Sequence, residues 1–307
     1  MAVYRRCTGT GGGCRGQGRR EPIKNRYWGL PYIYNPEAFF YNADLFEAAG
    51  LKTPNGSWGQ DEFISAALKL TRDRDGNGVT DQWGFTSGNV WTHVWRAGGS
   101  IWDDDSAPRR SVLDSQQAID GLRFFQDLIY RYRVRPAPPV WNITSERSLF
   151  LNGNAATYTE GAWTIREFSK VLPFKWGVTA FPRWRKQVNL AYVSGIAAYA
   201  HTKHPREAWE LVKFYAGPQA QRIQIEGQLA TIPIMDMDIG LKPTPYTLGI
   251  FEAARAGRLE PPVLDMNEYR RIVGTGVGAL LNNTQGPVDA ATYMAENLTR
   301  LIQRLNR

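Results

Sequence analysis

From about residue 27 onward, hydrophobic positions recur with the spacings of strands and helices. Residues 34–41 form an aromatic run that predicts a strand, and Asn42 stands where it can cap a short helix that stops at Gly50. The segment Ser57-Trp58-Gly59-Gln60 predicts a capping box ahead of an amphipathic helix that reaches Leu70. This part of the pattern therefore predicts one strand followed by two helices.

The remainder of the pattern alternates short strands with helices. Helices are predicted from residue 114 onward, around Leu149, and over residues 205–215, 266–282 and 288–306; strands are predicted over 155–158, 176–181 and 195–200. Pro205 opens one of these helices at its first helical position. Alternation of this kind, with a mainly helical final third, predicts an α/β fold.

Residues 1–24 differ from the rest because they are rich in Gly and Arg and show no hydrophobic periodicity. Such a segment cannot bury enough apolar surface to fold, so we expect a disordered leader. Its composition is foreign to residues 25–307, and a misplaced start codon or an out-of-frame stretch is the favoured interpretation. A functional basic arm is the alternative.

Composition supports a packed body in residues 25–307. The chain of 307 residues is 43% hydrophobic and 12% aromatic, with 11 Trp, which is ample for a core and excludes wholesale disorder. This length has room for one large or two medium domains. Most of the Trp side chains are expected in the core, while some offer flat faces to a ligand.

The net charge of +8 does not predict nucleic-acid binding. The first 20 residues carry five arginines and no acid, so the rest of the chain holds only about +3. Scattered charge of that size is typical of an ordinary soluble surface.

Cysteine and hydropathy patterns exclude several other classes. Cys7 and Cys14 are the only cysteines, so the body can build neither a disulfide framework nor a thiolate zinc site. No apolar run approaches the roughly 18 residues of a membrane span. No apolar stretch follows Met1, so the sequence as written shows no secretory signal.

Several short motifs follow one another in order between residue 27 and about residue 305. They are Gly29-Leu30-Pro31-Tyr32, Tyr41-Asn42-Ala43-Asp44-Leu45-Phe46, Gly98-Gly99-Ser100-Ile101-Trp102-Asp103, Phe150-Leu151-Asn152-Gly153-Asn154, Gly161-Ala162-Trp163, His204-Pro205-Arg206-Glu207-Ala208-Trp209 and Ile232-Pro233. In this order and spacing the chain resembles family 1 of the extracellular solute-binding proteins of carbohydrate ABC transporters, the relatives of the maltose-binding protein.

The resemblance implies a fold, a role and a location. The fold is the periplasmic-binding-protein-like α/β fold of type II, in which two lobes with interleaved chain segments close on a ligand. The role is to capture a sugar or oligosaccharide and deliver it, as a monomer, to the permease subunits of a membrane transporter. The location is periplasmic or extracellular with a membrane anchor. Because the Gly29 motif stands so near the start, the first lobe is expected to be incomplete.

The resemblance also implies ligand-binding positions, namely Tyr32, Asn35, Trp91, Glu160, Trp163 and Tyr269. Trp163 is the candidate for stacking on a sugar ring, because aromatic faces suit the CH-rich face of a pyranose. Asn35 and Glu160 would hydrogen-bond sugar hydroxyls. Each position has a structural alternative, since a Trp at a strand-to-helix turn is often core and Asn35 could simply cap or turn the chain.

The segment from Asp73 to Asp81 resembles a calcium loop. Its candidate ligands are Asp73, Asp75, Asn77, the Val79 carbonyl and Asp81 at loop positions 1, 3, 5, 7 and 9. Position 12 is Gly84, so the usual bidentate Glu is missing. A calcium site and a solvated Asp/Asn/Gly turn therefore both remain open, and no other cofactor is expected.

Catalysis is not expected, although two other hypotheses of function remain besides sugar transport. A glycosidase needs two carboxyl groups across a glycosidic bond, and the run Asp103-Asp104-Asp105 is more simply a solvated loop. The chain also shows no nucleophile elbow. A carbohydrate-active enzyme is one alternative, and a nonfunctional truncated fragment, with weak or absent sugar binding, is the other.

Overall fold

The computed structural model describes residues 29–138, 145–226 and 245–306. The predicted leader, residues 1–24, and the Ile232-Pro233 motif lie outside the described residues. Strands and helices alternate through the first two ranges, and the last range is mainly helical. The predicted α/β organisation is therefore confirmed.

The described part of the chain contains strands β1 (Leu30–Asn42), β2 (Thr157–Gly161), β3 (Trp176–Thr179), β4 (Asn189–Ile196) and β5 (Gly257–Leu259). Its helices are α1 (Ala43–Ala48), α2 (Gln60–Leu70), α3 (Val90–Arg96), α4 (Gln116–Tyr130), α5 (Glu146–Leu151), α6 (Ile165–Val171), α7 (Pro205–Tyr215), α8 (Pro218–Glu226), α9 (Pro245–Arg255), α10 (Met266–Leu281) and α11 (Pro287–Leu305). None of these helices combines the length and apolar character that crossing a membrane requires.

The two helix starts predicted near the N-terminus differ in outcome. Asn42 caps α1 as expected, since its Oδ1 accepts a hydrogen bond from the Leu45 backbone N–H at 3.1 Å. The predicted capping box over residues 57–60 is wrong. The helix begins two residues later than a box at Ser57 requires, and Gly59 donates its N–H to the Glu62 carboxylate at 3.0 Å instead.

The strand predicted over residues 195–200 is also misplaced. The observed strand is β4, which pairs with the first half of β1 and ends at Ile196. Its end is set by this pairing, because residues 197–200 pair with no strand among the described residues. Local composition carries no information about such a long-range partner.

β1 is the central strand, and its two halves pair with different neighbours. Residues 30–36 pair antiparallel with β4, which in turn pairs in parallel with β5. Residues 37–42 lie between β2 and β3, both antiparallel to β1. One continuous strand of 13 residues thus belongs to two sheets and changes partners between Pro36 and Glu37.

The second half of β1 is buried on both faces. Phe39 packs into a cluster with Phe63 of α2, while its neighbour Phe40 packs on the opposite side against Phe168 of α6. Successive side chains of a strand point to opposite faces, so one short segment joins two hydrophobic cores. A third and larger core lies among α3, α4, α10 and α11.

The first residues of β1 are less buried than its second half in the described structure. Tyr32 meets Tyr215 of α7 edge to face at 6.0 Å between ring centroids. Within α7, Val212 is buried, whereas Trp209, Leu211 and Phe214 each expose more than 40% of their surface. This helix therefore presents an apolar face to solvent in the described structure.

Asn189 links the two halves of the molecule at the point where β1 changes partners. It is fully buried, and its Nδ2 donates to the Glu37 carbonyl at 2.9 Å. Its Oδ1 accepts from the Phe181 backbone N–H at 3.3 Å. A single amide side chain thus hydrogen-bonds to backbone groups of two separate segments.

We expect Asn189→Ala to lower the free energy of unfolding by about 2–4 kcal/mol, because a buried carbonyl and a buried N–H lose their partners. Urea unfolding followed by circular dichroism measures the change. The control is Asn282→Ala, which removes an exposed hydrogen bond to the Gly278 carbonyl and should cost less than about 1 kcal/mol. Equal losses for the two variants would contradict the linking role of Asn189.

Candidate functional site

A cluster of polar and aromatic side chains surrounds the point where β1 changes partners. Asn35 of β1 stands directly opposite Tyr192 of β4, and Glu37 stands opposite Gly161, the last residue of β2. Directly opposed strand residues share a face, as do residues two apart on one strand. Asn35, Glu37 and Tyr192 therefore lie on one face of the junction.

Glu37 is a buried carboxyl group with 6% of its surface exposed. The Thr92 hydroxyl donates to its Oε2 at 2.7 Å and accepts from the Leu190 backbone N–H at 3.1 Å. Burial raises the pKa of Glu37 to about 7, and the Thr92 hydrogen bond only partly opposes this rise. A carboxyl group that titrates near neutrality is thus built into the junction.

Asn35 lies beside Glu37 on the same face and is 7% exposed. Its Oδ1 is buried and accepts no hydrogen bond from any residue that the structure describes. Buried amide oxygens are nearly always hydrogen-bonded, so this acceptor is an exception that calls for a donor. Asn35, predicted from sequence as a ligand-binding residue, therefore has an acceptor to offer at the junction.

Trp163 and Tyr192 form the exposed aromatic part of the cluster. The chain leaves β2 at Gly161 through a 3-10 turn, and the Trp163 ring folds back so closely that a Cβ atom on Gly161 would lie 2.1 Å from it. The two rings meet edge to face at 5.2 Å, with 43% of Trp163 and 39% of Tyr192 exposed. The Trp163 ring is thus held in place yet open to solvent.

Glu260 follows β5 and completes the cluster beside Tyr192. Its Oε1 accepts from Trp91 Nε1 at 2.8 Å and from the Tyr269 hydroxyl at 2.6 Å. Trp91 and Tyr269 are each 2% exposed and belong to the core of α3, α4, α10 and α11. These two predicted ligand-binding residues are therefore placed behind Glu260, where they orient its carboxylate.

Glu160 lies at the edge of the cluster and is already engaged. The Tyr158 hydroxyl donates to its Oε2 at 2.9 Å, and Arg147 Nη1 is 3.8 Å from the same oxygen. Burial raises the pKa of Tyr192 above its ordinary value, and the negative charges of Glu37, Glu160 and Glu260 add to the rise. All three carboxyl groups therefore act on one phenol.

The structure brings together most of the residues predicted from sequence and separates one. Asn35, Trp91, Glu160, Trp163 and Tyr269 all lie at or behind the junction. Tyr32 lies apart, against α7 and α8, where its carbonyl accepts a hydrogen bond from Gln221. Sequence reasoning missed three residues of the cluster, namely the buried Glu37, the exposed Tyr192 and the partly buried Glu260. Of these only Tyr192 carried a signal, as an aromatic residue on an apolar run.

The Asp73–Asp81 loop lies elsewhere, on the surface after α2. The ligand oxygens of Asp73, Asp75 and Asp81 lie within 4.8 Å of one another. Asp73 accepts backbone hydrogen bonds from Gly76 and Gly78, which lower the pKa of its carboxyl group. Carboxylates gathered in this way fit a hard cation, although Arg74 pairs with Asp81 at 3.1 Å.

Comparison with known proteins places this geometry in a family. Residues 13–222 match the family described as bacterial extracellular solute-binding protein. The chain belongs to this family. Among curated relatives, the maltotriose-binding protein of Pyrococcus abyssi is 24% identical over 285 residues, which are 88% of this chain and 56% of the relative. A binding protein of Brucella abortus is 23% identical over 62% of this chain and 47% of its own length.

Solved structures agree with the predicted fold. An ABC substrate-binding protein of Listeria monocytogenes in complex with cycloalternan superposes with a TM-score of 0.82 at 21% identity, covering 92% of this chain and 74% of that one. Maltose-bound MalE3 of T. maritima gives a TM-score of 0.72 at 22% identity with the same coverage. The two-lobe periplasmic-binding-protein fold predicted from sequence is thereby confirmed, while the chain spans about half the length of the curated relatives it matches.

We expect the titration of Glu37 to appear in the pH dependence of stability. Its folded-state pKa of about 7 exceeds its ordinary value of 4.5, so the folded protein holds a proton that the unfolded chain has released. This contribution is fully present below pH 4.5 and is lost as the pH rises through about 7. The parent should lose at most about 3 kcal/mol of folding free energy as Glu37 ionises, and Glu37→Gln should not show this loss because Gln does not titrate. The melting temperature of the variant relative to the parent should therefore rise between pH 5 and pH 8.

The control for this titration is Glu268→Gln. Glu268 is only partly buried, and its hydrogen bonds with Arg271 lower its pKa, so its titration lies below this pH range. If the melting temperatures of Glu37→Gln and the parent differed by the same amount at every pH from 5 to 8, a raised pKa at Glu37 would be contradicted.

Proposed function

We propose that this chain captures a sugar or oligosaccharide and presents it to the permease subunits of an ABC transporter. The observation that carries the proposal is the solvent-open pair of Trp163 and Tyr192 above the polar junction of Asn35 and Glu37. A sugar offers a CH-rich face to an aromatic ring and hydroxyl groups to carboxylates and amides. Both kinds of partner stand side by side here.

The ligands of similar proteins support the same class of ligand. The Pyrococcus abyssi relative is a maltotriose-binding protein, and the Listeria monocytogenes structure holds cycloalternan. Because the family is one of bacterial extracellular solute-binding proteins, we also propose that the protein acts outside the cytoplasmic membrane, in the periplasm or the extracellular space. We further propose that it acts as a monomer.

We propose that the role is non-catalytic. A glycosidase needs one carboxyl group as acid and a second as nucleophile or base, both open to the glycosidic bond. In the described structure Glu37 is buried against Thr92, and Glu160 is engaged by Tyr158 and Arg147. Hydrolysis of chromogenic glycosides by the purified protein would favour the alternative of a carbohydrate-active enzyme.

We also propose a calcium ion in the Asp73–Asp81 loop, as a structural ligand separate from the sugar. The convergence of Asp73, Asp75 and Asp81 supports it, and Asn77 and the Val79 carbonyl would complete the oxygen ligands. Gly84 supplies no side chain, so the bidentate ligand of position 12 is lacking and a weak site is expected.

We expect Trp163→Ala to weaken sugar binding by about tenfold or more, because the stacking face is lost. Isothermal titration calorimetry with maltotriose and a panel of neutral oligosaccharides measures the affinity. The control is Trp209→Ala, which removes a Trp of similar exposure on α7, outside the junction. Unchanged affinity in Trp163→Ala would remove this residue from the site, and a parent protein that binds no sugar of the panel would overturn the proposed function.

We expect millimolar CaCl2 to raise the melting temperature of the parent relative to EDTA, because a ligand that binds the folded state stabilises it. Asp73→Asn should abolish this rise, since it removes one of the converging carboxylates. Asp61→Asn on α2 is the matched control and should keep the full calcium response. Equal melting temperatures in CaCl2 and EDTA would exclude calcium from the loop.

A further inference from the structure

The junction contains hydrogen-bond acceptors in excess of donors. Glu37 receives one hydrogen bond, which the Thr92 hydroxyl donates. Glu260 receives Trp91 Nε1 and the Tyr269 hydroxyl, both on its Oε1. Its Oε2 accepts no hydrogen bond from the residues that the structure describes. Every donor to these two carboxyl groups is therefore neutral.

The cations near the junction are committed to other partners. Arg147 pairs with Glu167 at 2.6 Å and with Glu160 at 3.8 Å. Arg258, two residues before Glu260, pairs with Asp105 and donates to the Ser100 hydroxyl at 2.9 Å. Within residues 29–138, 145–226 and 245–306, neither Glu37 nor Glu260 takes part in an ion pair. The Glu260 carboxylate, and Glu37 in its ionised form, are thus left without a protein counter-ion in this part of the chain.

Asn35 provides an observation independent of the carboxyl groups. Its side chain is more than nine-tenths buried, its Oδ1 has no partner in the described structure, and it shares a face with Glu37 and Tyr192. Leaving such an acceptor unpaired costs about 1–3 kcal/mol. Beside two carboxyl groups without a counter-ion, this unpaired acceptor favours a ligand group that donates hydrogen bonds.

We propose that the sugar bound at this junction carries a free amino group, protonated at neutral pH, which lies beside Tyr192 and Glu260. The proposal rests on the proposed function and narrows its ligand to amino sugars. An ammonium group offers three donors and no acceptor, which complements the free oxygens of Glu260 and Asn35. Its hydrogen bonds to a carboxylate are roughly twice as strong as those of a neutral hydroxyl.

The aromatic pair adds to the preference for a cationic sugar, and the carboxyl groups disfavour anionic sugars. Trp163 and Tyr192 offer electron-rich ring faces, and a cation over such a face is attracted by its quadrupole. A uronic acid or a sugar phosphate would bring a negative charge against Glu37 and Glu260, which no described cation neutralises. Neutral sugars donate through their hydroxyl groups and bind more weakly than amino sugars.

The test compares sugars that differ in a single group. Isothermal titration calorimetry at pH 6.5, where the sugar amines are mostly protonated, uses glucosamine, N-acetylglucosamine, glucose and glucuronate, together with chitosan dimer, N,N′-diacetylchitobiose, cellobiose and maltotriose. We expect each free amine to bind at least about tenfold more tightly than its N-acetyl and hydroxyl counterparts, and glucuronate to show no binding. The affinity of the amine should fall between 50 and 500 mM NaCl, while that of neutral sugars stays constant.

Two variants assign the preference to the junction. Glu260→Gln should bring the amine-to-hydroxyl affinity ratio close to one, while Glu268→Gln, at a partly buried carboxylate on α10, should leave the ratio unchanged. Melting curves check that each variant folds. If Glu260→Gln does not fold, Glu37→Gln serves as the junction variant in its place.

The outcomes separate this proposal from the function on which it rests. Neutral sugars that bind as tightly as their amino counterparts would overturn the amino-sugar preference and leave sugar binding intact. Tight binding of glucuronate, or an unchanged ratio in Glu260→Gln, would also overturn it. A parent protein that binds none of the eight sugars would overturn sugar capture and the amino-sugar preference together.

Discussion

The change of partners in the middle of β1 is the constraint on which the rest of the structure depends. A strand that leaves β4 and enters between β2 and β3 must keep its backbone groups paired through the change. Asn189 solves this by donating to the Glu37 carbonyl while accepting from the Phe181 N–H. The cores on both faces of β1 and the cluster at its junction are all positioned by this crossing.

The same crossing explains why charged groups are concentrated at the junction. A strand buried on both faces would ordinarily carry only apolar side chains there, as Phe39 and Phe40 do. Glu37 instead brings a carboxyl group into the interior, where desolvation raises its pKa toward neutrality. Trp91 and Tyr269, both core residues, orient Glu260 from behind. Polar groups that cost stability in a core are thus gathered at the proposed sugar site.

Much of the local structure could be predicted from the sequence, and the failures share one cause. The cap of α1 by Asn42 needs only neighbouring residues and was predicted correctly. The strand at 195–200 was wrong because β4 is placed by its register with β1, far away in sequence. Trp163 became a candidate because it stands within a motif, and Asn35 became one through the family resemblance. Glu260 stands in no motif and joins the cluster only through β5.

The sequence by itself determined the family, the α/β fold and the aromatic candidates, because these depend on periodicity and on motifs that are contiguous along the chain. It also determined that the body lacks cysteine chemistry. Only the tertiary structure decided that Trp163 is open to solvent while Trp91 is buried behind Glu260. Only the structure showed that Asn35, Glu37 and Tyr192 share one face and that Glu260 lies near Tyr192. Burial and charge at a point depend on strands that lie far apart in the chain, and no local pattern records which of them meet.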